Sequence, residues 1–156
     1  MSPKLVLTSA QQEAVNSLLG SLAVSPVAVL SGAAGAGKTN ILKTLQATQG
    51  GKFLDAQELM YARHEHAPAA IEEAFIRMIE DAIQSYDLVL VDDVNVVTDA
   101  IGGGGYDRVH LLDAALTAIL AEARVLRRKL IFAVEREIPW PIRRRAQIVQ
   151  VTYLHD

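Results

Sequence analysis

Gly32-Ala33-Ala34-Gly35-Ala36-Gly37-Lys38-Thr39 is a complete G-x-x-x-x-G-K-[ST] string, and its flanks decide how it is read. Val27-Ala28-Val29-Leu30, an apolar run of strand length, leads into it, and Ile41, Leu42 and Leu45 follow at helical spacing. Strand, glycine-rich turn and helix N-terminus in that order form a cradle for phosphate. The glycines let the backbone curl until several N–H groups face one point, and the helix adds the positive end of its dipole. In this reading Lys38 reaches the β- and γ-phosphates and the Thr39 hydroxyl takes a place on Mg²⁺. Gly32, Ala33, Ala34, Gly35, Ala36, Gly37 and Asn40 complete the binding loop. The alternative is an accidental match in a glycine- and alanine-rich turn, a rare coincidence with ten glycines in 156 residues.

Composition bounds the rest. A chain of 156 residues, 51% hydrophobic and 21% charged, is expected to form one globular domain spanning 1–156. Within it, 1–25 reads as an N-terminal helical segment and 26–152 as an αβ core. Cysteine is absent, which excludes disulfides and thiolate metal sites and fits a reducing, cytoplasmic setting. No signal-peptide pattern and no apolar stretch of membrane-spanning length is present, so no membrane partner is expected. The formal net charge of −3 offers no global attraction for nucleic acid; Arg143-Arg144-Arg145 is a local exception.

Helix and strand patterns alternate along the chain. Thr8-Ser9-Ala10-Gln11 offers a capping box, and Ala14, Val15, Leu18, Leu19 and Leu22 form the stripe of a first helix. A strand over 27–31 leads through the loop to a helix over about 38–47, ended by Gly50-Gly51. Lys52-Phe53-Leu54 reads as a short strand. A longer helix follows with Ala70, Ile71, Ala74, Phe75, Met78, Ile79, Ala82 and Ile83 on one face. Asp87 to Val91 reads as a third strand, Gly102 to Gly105 as a loop, and Val109, Leu112, Leu116, Ile119 and Leu120 as a further helix. Strands over 130–134 and 148–151 complete a βαβα rhythm. That rhythm predicts an α/β fold, a five-stranded parallel sheet with helices on both faces.

The third strand, Leu88-Val89-Leu90-Val91, ends in Asp92-Asp93, about fifty residues after the phosphate loop. This is the placement of a Walker B element. Asp92 then holds Mg²⁺ through water, and Asp93 orients the attacking water. The alternative is that both carboxylates simply cap a strand end.

With the two Walker elements in place, the chain resembles the AAA+ ATPases, over roughly residues 26–152. Lys52-Phe53-Leu54-Asp55-Ala56-Gln57-Glu58-Leu59-Met60 looks like the family's second strand and the turn after it. Gly102 to Gly105, Tyr106 and Asp107-Arg108 look like the glycine-rich loop and Asp-Arg pair that follow Walker B. The strand over 130–134 falls where the family's sensor-1 strand ends near the γ-phosphate. Ile142-Arg143-Arg144-Arg145-Ala146-Gln147-Ile148-Val149-Gln150-Val151 resembles the arginine-finger segment, with Arg144 best placed as the finger. The resemblance implies ATP and Mg²⁺ as ligands, a hexamer-type ring, and a protein substrate to be remodelled.

The chain also departs from the family pattern. Asp93 stands where the family usually has Glu, and Glu135 stands at the usually polar sensor-1 position. Arg63 or His64 replaces the pore-loop aromatic, with Tyr61 close by. The sequence stops at Asp156, just past the fifth strand, so the family's helical lid and its sensor-2 arginine have no counterpart. Slow turnover, and a monomer for the isolated chain, are the corresponding expectations.

Weaker signals remain. Arg143 to Arg145 also read as a solvated basic turn or a nucleic-acid contact. His64-Glu65-His66 lacks the i, i+4 spacing of a helical zinc site and reads as a polar surface loop. Trp140, between Pro139 and Pro141, reads as the packing anchor of a rigid loop. Leu7-Thr8-Ser9-Ala10-Gln11-Gln12-Glu13-Ala14-Val15 resembles the segment ahead of the phosphate loop in superfamily-1 helicases, where a Gln reads adenine; Gln12 is the candidate. A second RecA-like lobe does not fit in 156 residues, so an ATPase with Lys38, Asp93, Glu135 and Arg144 as catalytic groups leads. A helicase-like DNA motor fragment and a silent nucleotide-binding or assembly module are the alternatives. Among partners, ATP and ADP and a homo-oligomer lead, and nucleic acid ranks below them.

Overall fold

The computed structural model describes residues 7–65, 70–102 and 106–151. Twelve elements follow in the order α1 (Ser9–Val24), β1 (Val27–Ser31), α2 (Lys38–Gln49), β2 (Lys52–Leu54), α3 (Ala56–Glu65), α4 (Ile71–Ser85), β3 (Leu88–Val91), α5 (Val94–Gly102), α6 (Tyr106–Val125), β4 (Lys129–Val134), α7 (Trp140–Arg145) and β5 (Gln147–Gln150). The strands form one five-stranded sheet in the order β2-β3-β4-β1-β5, and every pairing is parallel.

The strands are apolar without interruption because both faces of the sheet are covered. Successive residues point to opposite faces, so each strand divides its side chains between two cores. Val27, Val29, Val89, Val91, Leu130, Phe132 and Val134 pack with Phe75, Ile79 and Ile83 of α4 and Leu116, Ile119 and Leu120 of α6. Ala28, Leu30, Leu88, Leu90, Ile131 and Ala133 pack with Leu18 and Leu22 of α1 and Ile41, Leu42 and Leu45 of α2. The helices on each side are those whose apolar stripe reaches the sheet. In α4 the buried positions 71, 74, 75, 78, 79, 82 and 83 repeat at helical spacing.

Local chemistry sets the helix ends. The Thr8 hydroxyl accepts from Gln11 N–H at 3.1 Å and Gln11 Oε1 accepts from Thr8 N–H at 3.1 Å, a reciprocal capping box on α1. The C-terminus of α4 is closed by Arg128, which donates to the Ile83 carbonyl at 2.7 Å and the Gln84 carbonyl at 3.2 Å. α6 ends in a Schellman arrangement, with Arg128 N–H on the Ala123 carbonyl at 2.8 Å and Arg127 N–H on the Arg124 carbonyl at 3.1 Å. Arg127 sits there at φ 59°, in the left-handed region.

The α/β fold with a parallel five-stranded sheet is therefore the one the sequence predicts. Four local expectations are corrected. Residues 56–60, read as a turn, and His64-Glu65, read within a polar loop, lie in α3, whose first turn is capped by Asp55 Oδ1 accepting from Glu58 N–H at 3.0 Å. Residues 94–102, given no element, form α5, and Gly102 is its last residue rather than loop; 103–105 lie outside the described residues. Arg143 to Arg145 lie in helix α7 rather than in a turn. Trp140 starts that helix 63% exposed, so it anchors nothing in this chain.

Candidate functional site

The phosphate loop, the end of β3 and the end of β4 meet at the carboxyl edge of the sheet, around a cleft of about 430 Å³. Carboxyl ends of parallel strands are where open α/β sheets place their ligands, because loops leave there in diverging directions. The loop is tied into the sheet at its start: Gly32 N–H donates to the Val134 carbonyl at 3.1 Å. A Cβ at Gly32 would stand 2.6 Å from the Val151 carbonyl oxygen, so only glycine lets the chain leave β1 this close to the end of β5. Gly37, directly before α2, has φ 87°, and a Cβ there would meet Gln11 Nε2 at 2.0 Å. Backbone conformation and close packing thus both require the glycines that open α2 toward the cleft.

Gly35, Gly37, Lys38, Thr39 and Asn40 line the cleft from the loop side, with Ala34 beside them. Ala36 is 3% exposed and turns into the core, contributing its backbone only. Lys38 Nζ donates to the Gly32 carbonyl and, at 2.9 Å, to the Ala33 carbonyl, so these two residues shape the loop from its root. Burial pushes the Lys38 ammonium below the ordinary lysine range, against the pull of Glu135, Asp92 and Asp93.

From β3, Asp92 is 7% exposed. Its Oδ2 accepts from Thr39 Oγ1 at 2.6 Å and its Oδ1 from Asp93 N–H at 2.9 Å. Burial pushes the Asp92 carboxyl above the usual carboxylate range; the Thr39 hydroxyl works the other way, and the Asp93 charge adds to the rise. In the folded chain without ligand, ionised Asp92 is therefore a cost. The sign follows from linkage: with the folded pKa above the unfolded one, the native state is penalised at neutral pH. It carries no penalty once pH falls below both values. Asp92→Asn should accordingly raise the thermal midpoint of the ligand-free protein near pH 7, a gain that fades as pH drops below the carboxylate range. A thermal melt series across pH checks this, and an unchanged or lowered midpoint at neutral pH would refute it.

Asp93 also lines the cleft, at φ 59°, a left-handed conformation that Asp tolerates better than most residues. Its Oδ2 accepts from Ala56 N–H at 3.1 Å, holding the first turn of α3 to the end of β3. Glu135 enters from the end of β4. Its backbone is held by a residue that sequence reading did not single out. Asn95, on α5 and 6% exposed, accepts at Oδ1 from Glu135 N–H (2.6 Å) and Arg136 N–H (3.1 Å). Its Nδ2 donates to Thr98 Oγ1 (3.0 Å) and the Glu137 carbonyl (3.2 Å). Its position three residues after Asp92 is the only sequence signal it carries.

Arg144 is not in the cleft. α7 precedes β5 and ends at its amino end, so Arg144 sits across the sheet from the carboxyl edge. Gln12, named as the adenine reader from the helicase resemblance, and its neighbour Gln11 differ in surroundings. Gln11 Nε2 donates to the Ala36 carbonyl in the loop at 3.1 Å, whereas Gln12 is exposed and faces Asn16. Tyr61 is exposed on α3; the side chains of Arg63, His64 and Glu65, and the whole of His66, lie outside what the structure describes. Among the described residues no group of three or more His, Cys, Asp or Glu side chains could hold a metal, and no helix is long and apolar enough to cross a membrane.

The cleft can do three things chemically: offer backbone N–H groups and an ammonium to an anion, offer hard oxygen atoms to a cation, and present carboxylates to water. No protein-family model matches the chain, and no curated protein is significantly similar to it in sequence. Solved structures are similar in shape. The Pif1 helicase of Candida albicans matches at 15% identity with a TM-score of 0.55, over 97% of this chain and 41% of that one. Domain III of the replication initiation protein DnaA from Thermotoga maritima matches at 15% identity with a TM-score of 0.60, over 94% of this chain and 64% of that one. AMPPCP-bound DnaA from Aquifex aeolicus matches at 20% identity with a TM-score of 0.55, over 94% and 48%. The chain thus spans less than two thirds of the length of each. Identities this low speak for architecture alone, and the fold is the P-loop NTPase fold, a parallel five-stranded sheet between helices.

Proposed function

We propose that the chain binds ATP with Mg²⁺ in the cleft and hydrolyses it slowly by in-line attack of water. The observation that carries this reading is the convergence of Lys38, Thr39, Asp92 and Asp93 at one edge of the sheet, from segments more than fifty residues apart. The donor set fits Mg²⁺: a hydroxyl and a carboxylate already 2.6 Å apart, both hard oxygens, with the carboxylate buried. Thr39, and Asp92 through water, would hold the ion, which would neutralise charge on the phosphates.

Lys38 exchanges its loop carbonyls for phosphate oxygens, and the amides of Gly35, Gly37, Lys38 and Thr39 stabilise charge on the transferring group. Asp93 accepts a hydrogen bond from the attacking water and fixes its approach, leaving Ala56 N–H to do so. Asp93→Asn should cut turnover on the order of 10²-fold with nucleotide binding retained, and Asp93→Glu, which restores the longer carboxylate, should raise it. A phosphate-release assay reads both. Unchanged rates would leave Asp93 as the cap of α3 and move the search for the water's partner to Glu135.

Arg144 belongs to the proposal only in trans, as a finger offered to the cleft of a neighbouring copy in a ring that remodels a partner. Its place at the opposite edge of the sheet supports that direction. A second reading, a helicase-like DNA motor, is favoured by Gln11 against the loop and by the likeness to a helicase. It requires an affinity for single-stranded DNA that falls steeply with salt.

A further inference from the structure

A groove of about 570 Å³ lies at the amino edge of the sheet, between the end of α1 and the last turns of α6. Val27, the first residue of β1, and Leu120 form its floor, and both are buried. Val24 and Val125 stand at its rim, 79% and 82% exposed, the two most exposed large apolar side chains among the described residues. Single exposed valines are ordinary, but these two share one groove and continue its apolar floor. Its wall is fixed in place: Ser25 Oγ donates to the Arg145 carbonyl at 3.2 Å, with the Val27 carbonyl as a second acceptor at 3.1 Å. The turn after α1 is thereby tied to the end of α7. β1 runs from this groove to the phosphate loop, so the two sites stand at opposite edges of the sheet.

Among the described residues, Arg124 and Arg145 line the groove and no carboxylate does. Neither arginine is in an ion pair with a described residue; Arg145 Nη1 turns to the Pro141 carbonyl at 3.3 Å. Arg143 and Arg144 are exposed beside Arg145 on α7, so positive charge gathers here on a chain whose formal net charge is −3. The aliphatic floor disfavours a bare anion. No aromatic side chain is among the described residues that line it, so it lacks the stacking platform that a single nucleic-acid strand uses. An aliphatic side chain with carboxylates next to it satisfies both the floor and the arginines. We propose that this groove docks an acidic amphipathic segment of a partner protein. One apolar side chain of the segment sits between Val24 and Val125, and its flanking carboxylates meet the guanidinium forks of Arg124 and Arg145. This site is independent of the nucleotide reading of the cleft.

A methyl-detected NMR titration of the full chain with a short capped peptide of alternating leucine and aspartate tests this. The Val24, Val27, Leu120 and Val125 methyls should shift and saturate, with a dissociation constant below about 1 mM. Peptides with lysine in place of aspartate, or serine in place of leucine, should bind at least about tenfold more weakly, since each keeps only half of the complementarity. Arg124→Glu and Arg145→Glu should each weaken the first peptide about tenfold or more. Val125→Ser should weaken it about fivefold through lost apolar contact. All three side chains are exposed, so melts of the variants should match the wild type, and ATP affinity should not change. No saturable shift at these methyls would overturn the proposal, as would equal binding of the lysine peptide. An oligothymidylate that shifts the same methyls more tightly would give the groove to nucleic acid instead. Methyl shifts that depend on protein concentration without peptide would give it to a second copy of the chain; either result overturns the proposal.

Discussion

Lys38→Ala should lower affinity for ATP by at least about 100-fold and leave the folded chain as stable as before. The two halves of that result have separate physical causes. Lys38 is the one cation inside the phosphate loop, and a charge-assisted contact to phosphate is roughly twice as strong as a neutral hydrogen bond. Two or more such contacts in a partly desolvated loop amount to about 3 kcal/mol or more, which is a factor of about 100. Stability should not follow, because the side chain lies outside both apolar cores and burial already disfavours its charged form. Its bonds to the Gly32 and Ala33 carbonyls are replaced by water in the open cleft. Displacement of a fluorescent nucleotide, with thermal melts alongside, checks both halves. Retained affinity would remove the loop from the binding site.

The larger kinetic effect is expected from Arg144. An arginine supplied in trans is worth about 10³–10⁵ in rate where it operates. Turnover per chain should therefore rise with protein concentration, and Arg144→Ala should lower the plateau on the order of 10³-fold without changing ATP affinity. Mixing Arg144→Ala with Lys38→Ala should restore part of the activity. Each variant keeps the half-site that the other lacks, since Lys38 and Arg144 stand at opposite edges of the sheet. Brisk turnover independent of concentration, or no recovery on mixing, would take Arg144 out of the mechanism.

How far the sequence discloses this molecule depends on the range of the forces concerned. The strands are legible because burial on both faces leaves an unbroken apolar run, as in Leu88 to Val91. α4 is legible because a single buried face repeats over fifteen residues. α5 is harder. Val94, Val97 and Ile101 do keep helical spacing, but β-branched residues between an Asp pair and a glycine run weigh against a helix locally. Packing against the sheet decides the matter. α3 was hidden for a related reason: its start is fixed by Asp55 and, from the end of β3, by Asp93, and the second of these is a tertiary contact.

At the cleft, the loop residues and the Asp92-Asp93 pair could be named from the sequence because each lies in a contiguous stretch. Asn95 could not, since its hold on the Glu135 and Arg136 N–H groups arises only where α5 and the end of β4 meet. Gln11 is an intermediate case. The capping box already assigns its side chain to the turn before α1, and only the fold shows that this turn rests on the phosphate loop. The order of the strands has no local signature at all, because it is set by which helices cross which face.

The central claim is that the cleft is a Mg²⁺-dependent nucleotide site. Four carboxylates line it against two cations, so free ATP meets a net negative wall, and the divalent ion should decide whether it binds. The most direct test is a calorimetric titration of the wild-type chain with ATP, with Mg²⁺ present and again with the ion chelated. The account predicts saturable binding at one site per chain with Mg²⁺, weakened by at least about tenfold without it. No binding at millimolar ATP by a chain whose melt shows it folded would contradict the account, as would binding indifferent to Mg²⁺.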